Sequence, residues 1–121
     1  MAQRPFAHTV AGSLAGSTRA NPFGPQADVY TVAGRMFAVV SVGDEPGRLT
    51  VKAEPEVGEA LRAEHPAIVP GYHMNKRHWI TITLDGSVPE PVVRAVLEDS
   101  HALVRGSAGW RSRDRDSGPQ T

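Results

Sequence analysis

Three short apolar segments, residues 28–32, 36–42 and 48–53, follow one another with only Ala33-Gly34-Arg35 and Gly43-Asp44-Glu45-Pro46-Gly47 between them. Connections this short favour antiparallel neighbours, because a parallel crossover needs about a dozen residues or more. The glycines in the longer loop suit the positive φ angles of a hairpin. The second segment is apolar on both faces, Met36, Ala38, Val40 and Val42 against Phe37 and Val39. That pattern belongs to a central strand. The third alternates, Leu49, Val51 and Ala53 on one face against Arg48, Thr50 and Lys52 on the other, as a half-buried strand does.

Helical periods flank this meander. Residues 5–18 set Phe6, Val10 and Leu14 on one stripe, although Gly12 and Gly16 weaken such a helix by about 1 kcal/mol each. Residues 21–25 are a turn by composition, with Phe23 expected to plug the end of the core. A second helix over 55–65 starts on Pro55, buries Val57 and Leu61 with Ala60, and stops before Pro66. Residues 68–70 read as a brief strand or extended connector, and 78–84 as a strand with Ile80, Ile82 and Leu84 on one face. Ser87-Val88-Pro89-Glu90 has the spacing of a capping box. It opens a last helix that runs to about Arg105, with Val92, Val93, Val96, Leu97, Ser100, Leu103 and Val104 inward and Gly106 as its stop. The order predicts an α+β two-layer sandwich: an antiparallel sheet of about five strands with helices packed on one face.

With 121 residues the chain holds one domain, expected over 1–106, and residues 107–121 are expected to be a disordered C-terminal tail of Arg, Asp, Ser, Gly and Pro around Trp110. Cysteine is absent, which removes disulfides, thiolate metal sites and a cysteine nucleophile. No apolar run approaches the roughly 20 residues that span a bilayer, and the first residues do not read as a secretory signal. A cytoplasmic setting without membrane contact is the expectation. Formal net charge is zero, so attraction to a polyanion has to come from a local patch.

That patch is looked for in residues 70–84, where Tyr72, His73, Asn75, Lys76, Arg77, His78 and Trp79 run into the strand. Lys76 and Arg77, with His73 and His78 beside them, suit phosphates, and Asn75 suits a phosphate or a base edge. Lys52 and Arg48 on the polar side of their strand, and Arg35 in the first turn, would extend the patch. Tyr72 and Trp79 are candidates for stacking on bases. The plainer alternative is a solvated loop whose Asn and His hold a turn by local hydrogen bonds. In that alternative Trp79 packs over the sheet with Phe37, Val39 and Tyr30. No acid–base or nucleophile constellation, phosphate-binding loop or metal-ligand spacing emerges, with His65, His73 and His78 the best metal trio on offer. The expectation is a protein that is not an enzyme and carries no cofactor and no metal.

Asn21-Pro22-Phe23-Gly24, Val32-Ala33-Gly34-Arg35-Met36-Phe37-Ala38 and Leu49-Thr50-Val51-Lys52-Ala53 resemble successive blocks of the MmcQ/YjbR family. Tyr72-His73-Met74-Asn75-Lys76-Arg77-His78-Trp79 resembles the family's most recognisable motif, and Asp99-Ser100-His101-Ala102-Leu103-Val104 resembles its closing helix, where an aromatic more often stands at the place of His101. The resemblance covers residues 5–106. It implies a small fold similar to CyaY-like and secretion-chaperone-like proteins, and a DNA-binding function through a double-wing surface in which hairpin loops act as wings. The first helix departs from the family pattern, with two glycines and no acidic, Leu-rich face. Two functions stand open: weak, salt-sensitive binding of double-stranded DNA, and a protein-interaction or small-ligand module that works through an exposed edge strand or sheet face.

Overall fold

The computed structural model describes residues 3–71 and 75–110, and of 107–110 the backbone alone. Three helices, α1 (Arg4–Ser13), α2 (Pro55–Glu64) and α3 (Glu90–Trp110), pack on one face of a six-stranded antiparallel sheet. The strands β1 (Thr18–Ala20), β2 (Ala27–Val32), β3 (Arg35–Ser41), β4 (Arg48–Lys52), β5 (Ile68–Pro70) and β6 (Trp79–Thr83) lie in the order β1-β2-β3-β4-β6-β5. The expected α+β sandwich is therefore what the chain forms. Its core, between sheet and helices, is built on Phe37, Leu49, Ile80, Ile82, Leu84 and Leu97, all under 2 % exposed.

β2 and β3 join through Ala33 and Gly34, both at positive φ, 53° and 77°. Two such residues make the hairpin turn whose twist matches that of the strands. Beyond it the ladder slips: Thr31 faces Met36 but Tyr30 faces Ala38, leaving Phe37 as an extra residue on β3. This bulge turns both Phe37 and Ala38 into the helical side, where each is fully buried. The Phe37 ring lies 6.3 Å from Tyr30 and meets His101 of α3 edge-on at 5.2 Å. Ser100 of α3 closes the gap beside the bulge. Its hydroxyl accepts from the Lys52 N–H at 2.9 Å and donates to the Phe37 carbonyl at 2.6 Å. Tyr30 and Phe37 are thus core residues on the helical face, not companions of Trp79 on the other.

Several expectations at the element ends are corrected. α1 stops at Ser13 and the chain turns through Gly16 at φ 73°, so the residues up to Thr18 leave the helix and Thr18–Ala20 becomes a sixth strand. All three β1 residues are exposed, so no alternation marks them in the sequence. Phe23 is 58 % exposed and plugs nothing. α2 buries Gly58 in place of Val57 and Ala60. A β-carbon at position 58 would stand 3.3 Å from the Ile80 side chain, so the bare helix backbone sits on the sheet there. The capping box does not form, because the Ser87 N–H and hydroxyl both bond the Asp85 carboxylate at 2.9 and 2.7 Å. Those two hydrogen bonds hold the Asp85 carboxyl below its ordinary value. Finally, α3 runs through Gly106 to Trp110. A glycine weakens a helix by about 1 kcal/mol without ending it. Residues 111–121 of the expected tail lie outside the described residues.

No described helix packs on the second face of the sheet, yet Val29, Thr50 and Thr81 on it are buried. In register across it stand Ala20, Val29, Val39, Thr50, Thr81 and Val69. The Thr50 and Thr81 hydroxyls are bonded at 2.8 Å.

Candidate nucleic-acid interface

Asn75 makes the turn that precedes β6. Its side-chain oxygen accepts from the Arg77 N–H at 2.9 Å and the His78 N–H at 3.3 Å, and its carbonyl takes a third bond from the His78 N–H at 3.2 Å. The turn-holding role weighed for Asn75 is thus the one its acceptor atoms serve. Holding the turn leaves Asn75, Lys76 and Arg77 exposed, with His78 and Trp79 half-buried. Tyr72 and His73 lie outside the described residues.

The turn is anchored on its other side by Gly71. Its N–H bonds the Trp79 carbonyl at 2.8 Å, and a β-carbon on it would stand 2.6 Å from that of Trp79. Only glycine lets the two strands close to this distance. The β4–β6 ladder then brings Lys52 opposite Trp79, and the Ala53 N–H bonds the His78 carbonyl at 2.8 Å. By alternation Lys52 and Trp79 belong to the second face, with Thr50 and Thr81. Lys52 on that face, and Lys76 and Arg77 in the turn, therefore lie at the same end of the sheet. Among the described residues no acidic side chain is within ion-pair reach of any of the three. Arg35, exposed, is at the same end of the sheet but pairs with Val32, which turns it toward the helical side.

Arg48 does not join them. It lies at the far end of β4, four strand steps or roughly 13 Å from Lys52. There Asp44 takes Arg48 Nε at 3.2 Å, Arg4 Nη2 at 2.7 Å and the Ser41 hydroxyl at 2.7 Å. Burial pushes the Asp44 carboxyl up, but the Ser41 and backbone hydrogen bonds, with Arg48 and Arg4, prevail and hold it below its ordinary value. The hairpin loops also separate. The Ala33-Gly34 turn shares the Lys52 end, while the loops at 21–26 and 43–47 stand at the other.

A polar cluster that sequence reading missed lies between α1 and β2. His8 Nδ1 is 2.7 Å from the Tyr30 hydroxyl, and His8 Nε2 is 3.6 Å from Asp28 Oδ2. Burial draws the His8 imidazole below its ordinary value, against Asp28 and with the help of Arg19 and Arg4. The only sequence signal is that His8 falls one residue after the buried Ala7 on α1. Elsewhere, among the described residues, no three His, Asp or Glu side chains converge on a metal-sized site. No described helix is long and apolar enough to cross a membrane.

A helix-backed antiparallel sheet with a cationic turn at one end defines a small α+β two-layer domain. The YjbR family model matches residues 12–103 of it, and the chain belongs to that family. It is 33 % identical over 94 residues to the uncharacterised protein YbdF of Escherichia coli O157:H7, covering 78 % of this chain and 77 % of that one. To the uncharacterised YjbR of Escherichia coli K12 it is 35 % identical over 66 residues, 54 % of this chain and 56 % of the relative. A crystal structure of Deinococcus radiodurans DR2400, a DUF419 domain, matches with a TM-score of 0.76 at 37 % identity over 84 % of both chains. A Pseudomonas syringae protein of known crystal structure matches with a TM-score of 0.72 at 26 % identity, over 87 % of this chain and all of that one.

Proposed function

We propose that this chain is a small, non-enzymatic, cytoplasmic DNA-binding domain that touches phosphates with Lys52, Lys76 and Arg77. The observation that carries the reading is the register of β4 on β6, which sets Lys52 opposite Trp79 and beside the exposed turn. Cations without acidic partners attract polyanions more strongly than paired ones, since no salt bridge has to break first. His78 borders the group, and Trp79 offers part of an indole face to a base or sugar. With zero net charge and three phosphate contacts, binding is weak and the log–log salt slope is about −3.

Anisotropy of a labelled DNA duplex at low salt tests this. Lys76→Glu with Arg77→Glu weakens binding about tenfold or more and flattens the salt slope by about 2. Arg48→Ala leaves affinity as it was. Unchanged affinity in the double variant sinks the reading. The second reading, a protein-docking module, is favoured by Val69, 45 % exposed on the edge strand β5. A polypeptide that co-purifies, with no salt-sensitive DNA binding, selects it.

A further inference from the structure

α1 and the β1–β2 hairpin leave a cleft of about 400 Å³ between them, lined by His8, Thr9, Gly12, Ser17, Arg19 and Tyr30. Its volume is within the range of about 300–1,000 Å³ that small-molecule sites occupy. Arg19 of β1 pairs directly with Tyr30 of β2, so its guanidinium and the tyrosine share the side of the hairpin that faces α1. Asp28 lies two residues before Tyr30. One of its oxygens faces His8 Nε2 at 3.6 Å and the other accepts from Asn21 at 2.6 Å. A carboxylate on that side favours the tautomer with its proton on Nε2. Nδ1 is then an acceptor, and the Tyr30 hydroxyl donates to it across 2.7 Å. The tyrosine oxygen keeps its lone pairs for a donor in the cleft.

Three further features point to a ligand. The Ser17 hydroxyl is buried with no hydrogen-bond partner among the described residues, an arrangement that favours any acceptor brought to it. Arg19 is exposed, and among the described residues no carboxylate is within ion-pair reach of it. Gly12 puts no side chain into the cleft, where a β-carbon would stand 3.9 Å from Tyr30 Cε2. The groups facing His8 are Arg4 of its own helix, Arg19 of β1, and Asp28 and Tyr30 of β2.

We infer that this cleft binds a small hydroxylated oxyanion, its carboxylate or phosphate on Arg19 and Ser17 and its hydroxyl donating to Tyr30. Guanidinium forks suit both anions. The site faces α1, on the opposite side of the sheet from Lys52 and Trp79, and is independent of the DNA-binding reading. The test is thermal unfolding and NMR titration of the full chain with lactate and with glycerol 3-phosphate, glycerol being the uncharged control. Expected is a saturable millimolar response to at least one anion, with the His8 ring signals, assigned through His8→Gln, moving in step. Response to lactate alone makes the ligand a carboxylate, and to glycerol 3-phosphate alone a phosphate. Arg19→Ala weakens the response at least tenfold. Gly12→Leu fills the cleft on an exposed helix position and abolishes the response while raising the melting temperature, so lost binding cannot be blamed on lost fold. Lys76→Glu with Arg77→Glu leaves it unchanged. If neither anion gives a saturable response, or if the response survives Gly12→Leu, the inference is overturned.

Discussion

Arg48 and Lys52 begin and end the same five-residue strand, yet their surroundings are opposite. At the Arg48 end, Asp44 gathers two guanidiniums and a serine hydroxyl, and Arg4 also bonds the Asp44 carbonyl. The knot ties the start of α1 to the β3–β4 loop. At the Lys52 end, the Gly71 backbone and the Asn75 side-chain oxygen hold a turn, and its cations are exposed. Equal charges in the sequence therefore serve a structural purpose in one place and stand available in the other. What separates them is whether the described residues supply a carboxylate within reach.

The largest expected effect breaks the Lys52 end. Gly71→Ala puts a β-carbon 2.6 Å from that of Trp79 and 3.0 Å from its backbone carbonyl. Relief requires parting β5 from β6, at about 1–3 kcal/mol. Urea unfolding measures the loss. The Lys76–Arg77 turn shifts with the strand, so affinity for duplex DNA falls in the same variant. A Gly71→Ala protein as stable as its parent contradicts the close approach.

Asp44→Asn breaks the other end and is expected to lower stability by about 1 kcal/mol at neutral pH, the group being one-third exposed and its ion pairs screened. The pH dependence has a definite sign. The folded carboxyl titrates below its ordinary value, so the unfolded chain binds more protons as pH falls toward that value. The stabilisation is present above about pH 3.9 and is lost as pH drops through the folded value. Urea midpoints of parent and variant should differ near pH 7 and converge below pH 3.9. DNA affinity should not change, because this knot is remote from Lys52. A persistent gap at low pH would assign the stability to something other than the charge.

These two ends were unequally legible in the sequence. Short turns between alternating segments were enough to foresee the antiparallel sheet and most of its strands. β1 escaped because three exposed residues carry no period. The bulge at Phe37 was hidden because two adjacent apolar residues read as the two faces of a central strand. Local chemistry competed elsewhere: Asp85 captured the serine meant to cap α3, and Gly58, invisible to a hydrophobic pattern, joined the expected Leu61 in the contact of α2. The candidate interface was legible where it is contiguous, from Asn75 to Trp79. That Lys52 joins it and Arg48 does not depends on strand register and on a carboxylate in the preceding loop. The His8 cleft draws on residues from three elements, so no local window contains it.

The smallest expected effect separates stability from contact at the Lys52 end. Ala33 is held at φ 53° in the β2–β3 turn that precedes Arg35. An alanine in the left-handed region is strained by about 1 kcal/mol or a little more. Glycine relieves that strain but returns about 0.5–1 kcal/mol as extra freedom of the unfolded chain. Ala33→Gly should therefore stabilise by only about 0.5 kcal/mol, read as a small rise in urea midpoint. It neither adds nor moves a charge, so duplex affinity should match that of the parent. If affinity instead rises with stability, contact with DNA is limited by ordering of the turn end rather than by its exposed cations, and the contrast between Arg48 and Lys52 has to be drawn in mobility instead of charge.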